Sequence, residues 1–202
     1  RLIGARPDEI YFTSGGSESD NWAIKSFSRS IRKKRMGASC HIITTSIEHN
    51  AVLNSCRTLE SEGFTVTYLP CDKYGFIHPE TLQASIRDDT ILISVMAANN
   101  EVGSIQPLKA IGQIARHHQI VFHTDAVQAY GHIPISVNEC MIDMLSMSAH
   151  KLHGPKGVGF LYIRNGLELP SYIDGGSQEN GHRAGTSNVP GIVGLGKACE
   201  IA

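Results

Sequence analysis

Short apolar, β-branched runs alternate with longer helical patterns along almost the whole of this chain, and that alternation constrains the fold more than any other feature. The apolar runs are 10–12, 42–45, 65–69, 91–95, 120–124, 141–147 and 158–163. Helical patterns cover 19–35, 51–61, 79–86, 108–118 and 189–201. Strands alternating with helices of this length predict an α/β domain with a mainly parallel sheet flanked by helices. Ile91-Leu92-Ile93-Ser94-Val95 is nearly continuous in apolar character, as expected where helices cover both faces of a sheet. Five runs are followed directly by polar clusters, at 13–19, 48–50, 99–101, 125–128 and 148–151. Sheets of this kind gather ligands at the carboxyl ends of their strands, so the five clusters predict one site on one rim.

Composition narrows the remaining classes. A chain of 202 residues with 41% hydrophobic content predicts a single domain over 1–202 with one substantial core. With 18% charged residues and a formal net charge of −1, no nucleic-acid partner is expected. Arg29, Arg32, Lys33, Lys34 and Arg35 form a local basic cluster, which reads as the solvated end of a helix with cations at its negative pole. No apolar run reaches about 18 residues, so no membrane span is expected. Cys40, Cys56, Cys71, Cys140 and Cys199 are scattered and include no C-x-x-C pair. That spacing predicts neither a metal site nor a disulfide framework and suits a reducing compartment, cytoplasmic or organellar. The chain begins with Arg1 and stops within a helical run, which reads as a piece of a longer protein.

The polar clusters carry the chemistry. In Phe12-Thr13-Ser14-Gly15-Gly16-Ser17-Glu18-Ser19, two glycines allow close backbone approach to an anion, and the helix that follows aims its positive end at it. Ser17 adds a hydroxyl there, or caps the helix with Asp20 three residues on. His49, in Glu48-His49-Asn50, is a flat ring able to stack on a cofactor and exchange protons, or a surface histidine opening a helix. Asn100, in Asn99-Asn100-Glu101, offers an amide to a ring substituent or a carboxylate, or marks a turn. Asp125 closes a buried strand, where a carboxylate is costly without a cationic or hydrogen-bonded partner. A protonated pyridine nitrogen would be such a partner, with Gln128 near the ring hydroxyl; a turn-capping aspartate is the other reading. In Ser148-Ala149-His150-Lys151, the lysine follows an apolar strand, where a partly desolvated amine suits Schiff-base chemistry. Ser148 and His150 would complete a phosphate cradle. Lys156, inside the turn that follows, is the competing lysine and is expected to face solvent. The glycine-rich stretch 175–186 is either a functional loop or a flexible connection.

Taken together, FTSGGSESDN, IEHNAV, NNEVGSIQP, FHTDAVQAYG, SAHKLHGPKGVGFLYIR and RAGTSNVPGIVGLG resemble, in order, the class V aminotransferase group of fold-type I pyridoxal-phosphate enzymes. Within that group they are similar to the cysteine desulfurases of the NifS/IscS kind. The resemblance implies the large domain of a fold-type I transferase, with an N-terminal segment and a C-terminal small domain absent from this chain. It implies pyridoxal 5′-phosphate held as a Schiff base by Lys151, with His49 stacked on its ring and Asp125 paired with its nitrogen. Gln128 would bind the ring hydroxyl and Asn100 would lie near the ring and the substrate carboxylate. Gly16, Ser17, Ser148 and His150 would hold the phosphate, and Thr186 would reach the phosphate of a partner subunit in a homodimer. Ser17 stands where the family often has threonine and keeps the hydroxyl.

The activity so implied converts L-cysteine to L-alanine and passes sulfur, as an enzyme persulfide, to an acceptor protein for iron–sulfur cluster or thio-cofactor synthesis. Family members use a loop cysteine and a small-domain arginine that match nothing in this chain; Cys140 and Cys199 read as core residues. Other readings are a selenocysteine lyase or another β-lyase, an aminotransferase, or a catalytically silent dimerisation module.

Overall fold

The computed structural model describes residues 2–202. Seven strands, β1 (Ile10–Thr13), β2 (His41–Thr45), β3 (Thr65–Leu69), β4 (Thr90–Ser94), β5 (Val121–Asp125), β6 (Met144–Ser148) and β7 (Gly159–Ile163), form one sheet. Their order is β1-β7-β6-β5-β4-β2-β3. β3, β2, β4, β5 and β6 run parallel, and β7 is antiparallel to both β6 and β1. β1 therefore points the same way as β6, and both Thr13 and Ser148 pair with Gly159. This one reversed strand brings the loop after β1 to the rim where β2, β4, β5 and β6 also end.

The helices are α1 (Gly16–Asn21), α2 (Phe27–Lys34), α3 (Asn50–Ser61), α4 (Pro79–Ala84), α5 (Leu108–His117) and α6 (Val189–Ile201). Side chains of a strand alternate between faces, and the core divides accordingly. Ile43, Ile93, Leu145 and Tyr162 join a cluster with Leu82, Leu108, Ile111 and Leu195 on one face. Ile42, Leu92, Met144 and Leu161 join Trp22, Phe27, Val52 and Leu59 on the other. Of the five central strands, four are buried throughout and β5 at every position but Val121, whereas the edge strands β1 and β3 are only partly so. The α/β class with a mainly parallel sheet is the one the alternation predicts.

Three departures from the sequence reading have physical causes. The helix expected over 19–35 begins at Gly16 and widens into a π turn over Trp22–Ser26 before continuing as α2. The turn leaves Trp22, Ala23 and Ile24 fully buried, and the Trp22 indole N–H donates to the Pro170 carbonyl at 2.8 Å. The strand expected over 141–147 starts at Met144, because Met141 is left-handed at φ 53°. That turn packs against α5 so closely that a Cβ on Gly112 would lie 1.8 Å from the Cys140 carbonyl oxygen. The antiparallel course of β7 leaves no mark in its own apolar pattern. The basic cluster closes α2, where Arg29 pairs with Glu62 and Lys34 with Glu168, in keeping with a solvated, cation-rich helix end.

Candidate functional site

A cavity of about 280 Å³ opens at the carboxyl ends of the parallel strands. Gly16, Ser17, His49, Asn100, Asp125, Gln128, Ser148, His150 and Lys151 all line it, together with Asp20, Met96, Ala98 and Val127. Thr186 does not. It lines a neighbouring cavity with Thr13, Ser14 and Arg183 that shares no residue with the first.

One end of the cavity is built from backbone. Gly15, at φ 150° and ψ −175°, occupies a conformation closed to side-chain-bearing residues. A Cβ on Gly16 would stand 2.6 Å from Val127 Cγ2. The helix therefore starts flush against β5 and β6. The expected cap by Ser17 is absent: the capping position is Gly15, with no side-chain bond. Ser17 is exposed within the first turn, and Asp20 is buried instead of capping. Beside this helix start, the Ser148 hydroxyl and His150 Nδ1 are 2.8 Å apart. Backbone N–H groups at a helix start, a hydroxyl and an imidazole make a site for an anion such as phosphate.

The floor is acidic. Asp125 is 5% exposed; its Oδ1 accepts from the Val127 N–H at 2.9 Å, and its second oxygen takes no hydrogen bond from the described residues. It thus caps its turn with one oxygen and leaves the other available. Burial raises its pKa, and no lysine or arginine pairs with it among the described residues. Asp20 is 1% exposed and Glu48 5%. Glu48 Oε1 accepts from the Thr45 hydroxyl at 2.7 Å and the Met96 N–H at 2.9 Å, while its Oε2 has no partner. Burial pushes the Glu48 carboxyl up to about 8. His123 is fully buried between Ser94 and Ser146, and desolvation drives it down to about 3, so it stays neutral.

These shifts have a stability signature. Glu48 holds its proton more tightly folded than unfolded, so its favourable contribution is present below pH 4.5 and lost as pH rises towards about 8. His123 acts in the opposite sense between its ordinary 6.5 and about 3. The two oppose each other below pH 6.5, and of the two only Glu48 acts above it. Denaturant titrations of Glu48→Gln and the unmodified protein are expected to diverge between pH 6.5 and 8, by up to about 1.4 kcal/mol per pH unit. Parallel curves would show that Glu48 is ionised in the fold already.

The rim carries the reactive groups. His49 is exposed at the start of α3, where its Nδ1 accepts from the Ala51 N–H at 3.1 Å. That bond leaves its Nε2 side for the cavity, so the histidine both opens the helix and lines the site. Asn99 is consumed by structure, donating to the Ile47 carbonyl and accepting from the Glu101 and Val102 N–H groups. Asn100 is the exposed amide. Lys151 sits in the single helical turn Ala149–Leu152 after β6. The sequence reading expects a partly desolvated amine there, but Lys151 is exposed, because no element among the described residues packs over the cavity mouth. Lys156 is exposed in the following turn and away from the cavity.

The loop carrying Thr186 is fastened to the site. Arg183 donates through Nε and one terminal nitrogen to Glu18 at 2.8 and 3.0 Å, and Glu179 accepts the Phe12 N–H at 3.0 Å. Although burial would raise it, hydrogen bonds from Arg183 and Ser14 hold the Glu18 carboxyl below its usual range. The stretch 175–186 is therefore anchored at two points. None of the five cysteines lines the main cavity: Cys40 and Cys56 are buried, and Cys140 and Cys199 pack against the core. No helix among the described residues is long and apolar enough to cross a membrane.

Sequence reasoning missed Asp20, which lines the cavity, and Glu48, a buried neighbour of Asp20 and Asp125. Their burial follows from the meeting of α1, β2 and β5, which no local pattern in the sequence signals.

The family model described as aminotransferase class-V matches residues 1–202. A cysteine desulfurase IscS of Methanosarcina thermophila is 61% identical over 200 residues, covering 99% of this chain and 48% of that protein. One of Clostridium botulinum (strain Hall) is 56% identical over 202 residues, covering 100% of this chain and 50% of that protein. The chain thus spans about half the length of the curated relatives it matches. A solved structure described as SspA in complex with cysteine superposes with a TM-score of 0.94 at 49% identity, covering 98% of this chain and 57% of that one.

Proposed function

The chain belongs to the aminotransferase class-V family, and from that premise we propose that it forms the pyridoxal-phosphate-binding large domain of a cysteine desulfurase. The observation that carries this reading is Asp125, a buried carboxylate with one unengaged oxygen and no lysine or arginine partner among the described residues, on the floor of a cavity rimmed by Lys151. A buried anion of this kind calls for a cation, and the protonated nitrogen of a pyridine ring is one. The helix start at Gly16, with Ser148 and His150 beside it, is a cradle suited to the phosphate of the same molecule. Cavity and cofactor fit.

When bound, pyridoxal phosphate supplies an electron sink for the α-carbon of the substrate amino acid. The protein's own groups do the rest. Gly16 and Ser17 bind the phosphate with Ser148 and His150, and Asp125 holds the ring nitrogen's proton. His49 stacks on the ring, Gln128 binds its hydroxyl, and Asn100 lies near the ring and the substrate carboxylate. Lys151 Nζ would anchor the cofactor and would move a proton at the substrate α-carbon. Thr186, outside the main cavity, reaches the phosphate of a partner subunit's site, so the active form is a homodimer.

The substrate is L-cysteine, leaving as L-alanine. Its sulfur passes to a cysteine of the enzyme as a persulfide and on to an acceptor protein for iron–sulfur cluster or thio-cofactor synthesis. With all five cysteines off the cavity, the accepting thiol belongs to a part of the protein beyond these residues. Thiol chemistry of this sort suits a reducing compartment such as the cytoplasm. The full-length protein loaded with pyridoxal phosphate and given L-cysteine with a reductant is expected to yield alanine and sulfide in equal amounts. Cofactor binding without sulfur release would point to a different lyase or an aminotransferase.

A further inference from the structure

Three carboxyl groups meet beneath the cavity, and the reading above uses only one. Asp20, on α1, has an Oδ1 without any hydrogen-bond partner although the residue is 1% exposed. One oxygen of Asp20, one oxygen of Asp125 and one ring nitrogen of His49 all lie within 4.8 Å of one another. Glu48, in the turn before α3, adds a third buried carboxyl with an unpartnered oxygen.

The groups facing Asp20 come from every element around it. From β5 come Asp125 and His123, whose Nε2 lies 3.7 Å from Asp20 Oδ1. From β6 comes the hydroxyl of Ser146, which stands 3.0 Å from that same nitrogen. The turn before α3 contributes Glu48 and His49, and across the cavity lie His150 and the exposed Lys151. His123 is neutral, for want of solvent, and so is no counter-ion. No lysine or arginine forms an ion pair with Asp20, Glu48 or Asp125 among the described residues. Three like charges cannot share a dry floor without a cation, so protons must occupy some of these carboxyls. Of the two acids that line the cavity, Asp20 and Asp125, it is Asp125 that has a backbone N–H to stabilise it as an anion. Asp20 has no backbone donor on its Oδ1, and burial together with the neighbouring Asp125 charge raises its pKa well above the ordinary value, against the lowering influence of the Ser146 hydroxyl.

We propose that Asp20 is a positioning residue, a neutral carboxylic acid that confines the floor's negative charge to Asp125, where the cofactor's ring nitrogen binds. The proposal rests on the cofactor reading above. It makes Asp20 and Asp125, two acids of one cluster, respond oppositely to the same isosteric change.

The test compares pyridoxal phosphate binding by full-length unmodified protein, Asp20→Asn and Asp125→Asn, followed by visible absorbance at pH 7 and across an alkaline titration. Asp20→Asn is expected to bind within about threefold of the unmodified protein, since a neutral group replaces a neutral group. Asp125→Asn is expected to weaken binding by about 100-fold or more, as when a buried charge pair loses a partner. In a Glu48→Gln background, which removes that residue's own ionisation at about 8, bound-cofactor absorbance is further expected to show an alkaline step, from ionisation of Asp20, that adding Asp20→Asn abolishes. Equal losses in the two variants, or an alkaline step unchanged on adding Asp20→Asn, would overturn the proposal. Unmodified protein that binds no cofactor would instead overturn the functional reading, and this inference with it. Should Asp20→Asn not fold, the infrared spectrum of Glu48→Gln/Asp125→Asn, in which Asp20 is the one acid of the three that remains, decides independently of any cofactor. A protonated-carboxyl stretch persisting at pH 7 supports a neutral Asp20, and its absence overturns one.

Discussion

Lys151→Ala in the full-length protein is expected to abolish the visible band of lysine-bound pyridoxal phosphate and to lower sulfur release from L-cysteine by more than about 10,000-fold. The figure is the upper end of what a positioned proton-transfer group contributes, because this lysine anchors the cofactor as well. Lys151 is the only lysine lining the cavity, and Lys156, five residues on, faces solvent. Lys156→Ala is the matched control, expected to keep both band and activity. The exposure of Lys151 separates the two effects further. Removing a solvent-exposed side chain costs little stability, so the thermal midpoint of Lys151→Ala without cofactor should move by no more than about 0.5 kcal/mol equivalent. A variant retaining the visible band would reassign the anchor to another amine.

Asp125→Ala is expected to carry the second largest loss, about 100- to 1,000-fold in turnover, as for the removal of one preorganised electrostatic partner. Here stability and activity should move in opposite directions. Asp125 is a buried carboxylate without a lysine or arginine partner among the described residues, so taking it away relieves a desolvation cost while cofactor is absent. Part of that relief is offset by loss of its bond to the Val127 N–H. Cofactor-free Asp125→Ala is therefore expected to unfold at the same temperature as the unmodified protein or above it, yet to gain far less from added pyridoxal phosphate. A midpoint that rises equally with cofactor in both proteins would show that Asp125 is not the ring's partner. A site that is costly by itself and stabilised by its ligand is what linkage predicts for a preorganised pocket.

Most of the architecture was legible because it is encoded locally. The pattern over 91–95 already read as a strand covered on both faces, and β4 is buried at every position. The motifs also lay together on one rim, since parallel strands end on the same side: Gly16, His49, Asn100, Asp125 and Lys151 come from five separate turns into one cavity. The π turn at Trp22–Ser26 was not legible, because its cause is a distant packing partner, the Pro170 carbonyl on the Trp22 indole.

By itself, then, the amino-acid sequence determined the α/β class, the order of elements and the residue types gathered at the strand ends, all of which follow from side-chain periodicity and short-range turn chemistry. Only the tertiary structure decided the antiparallel insertion of β7, the exposure of Lys151 and the burial of Asp20 and Glu48 beside Asp125. Those depend on which elements pack together across more than a hundred residues of chain, from Asp20 to Asp125. Burial, and with it protonation, is a property of neighbours in space, which no local pattern contains.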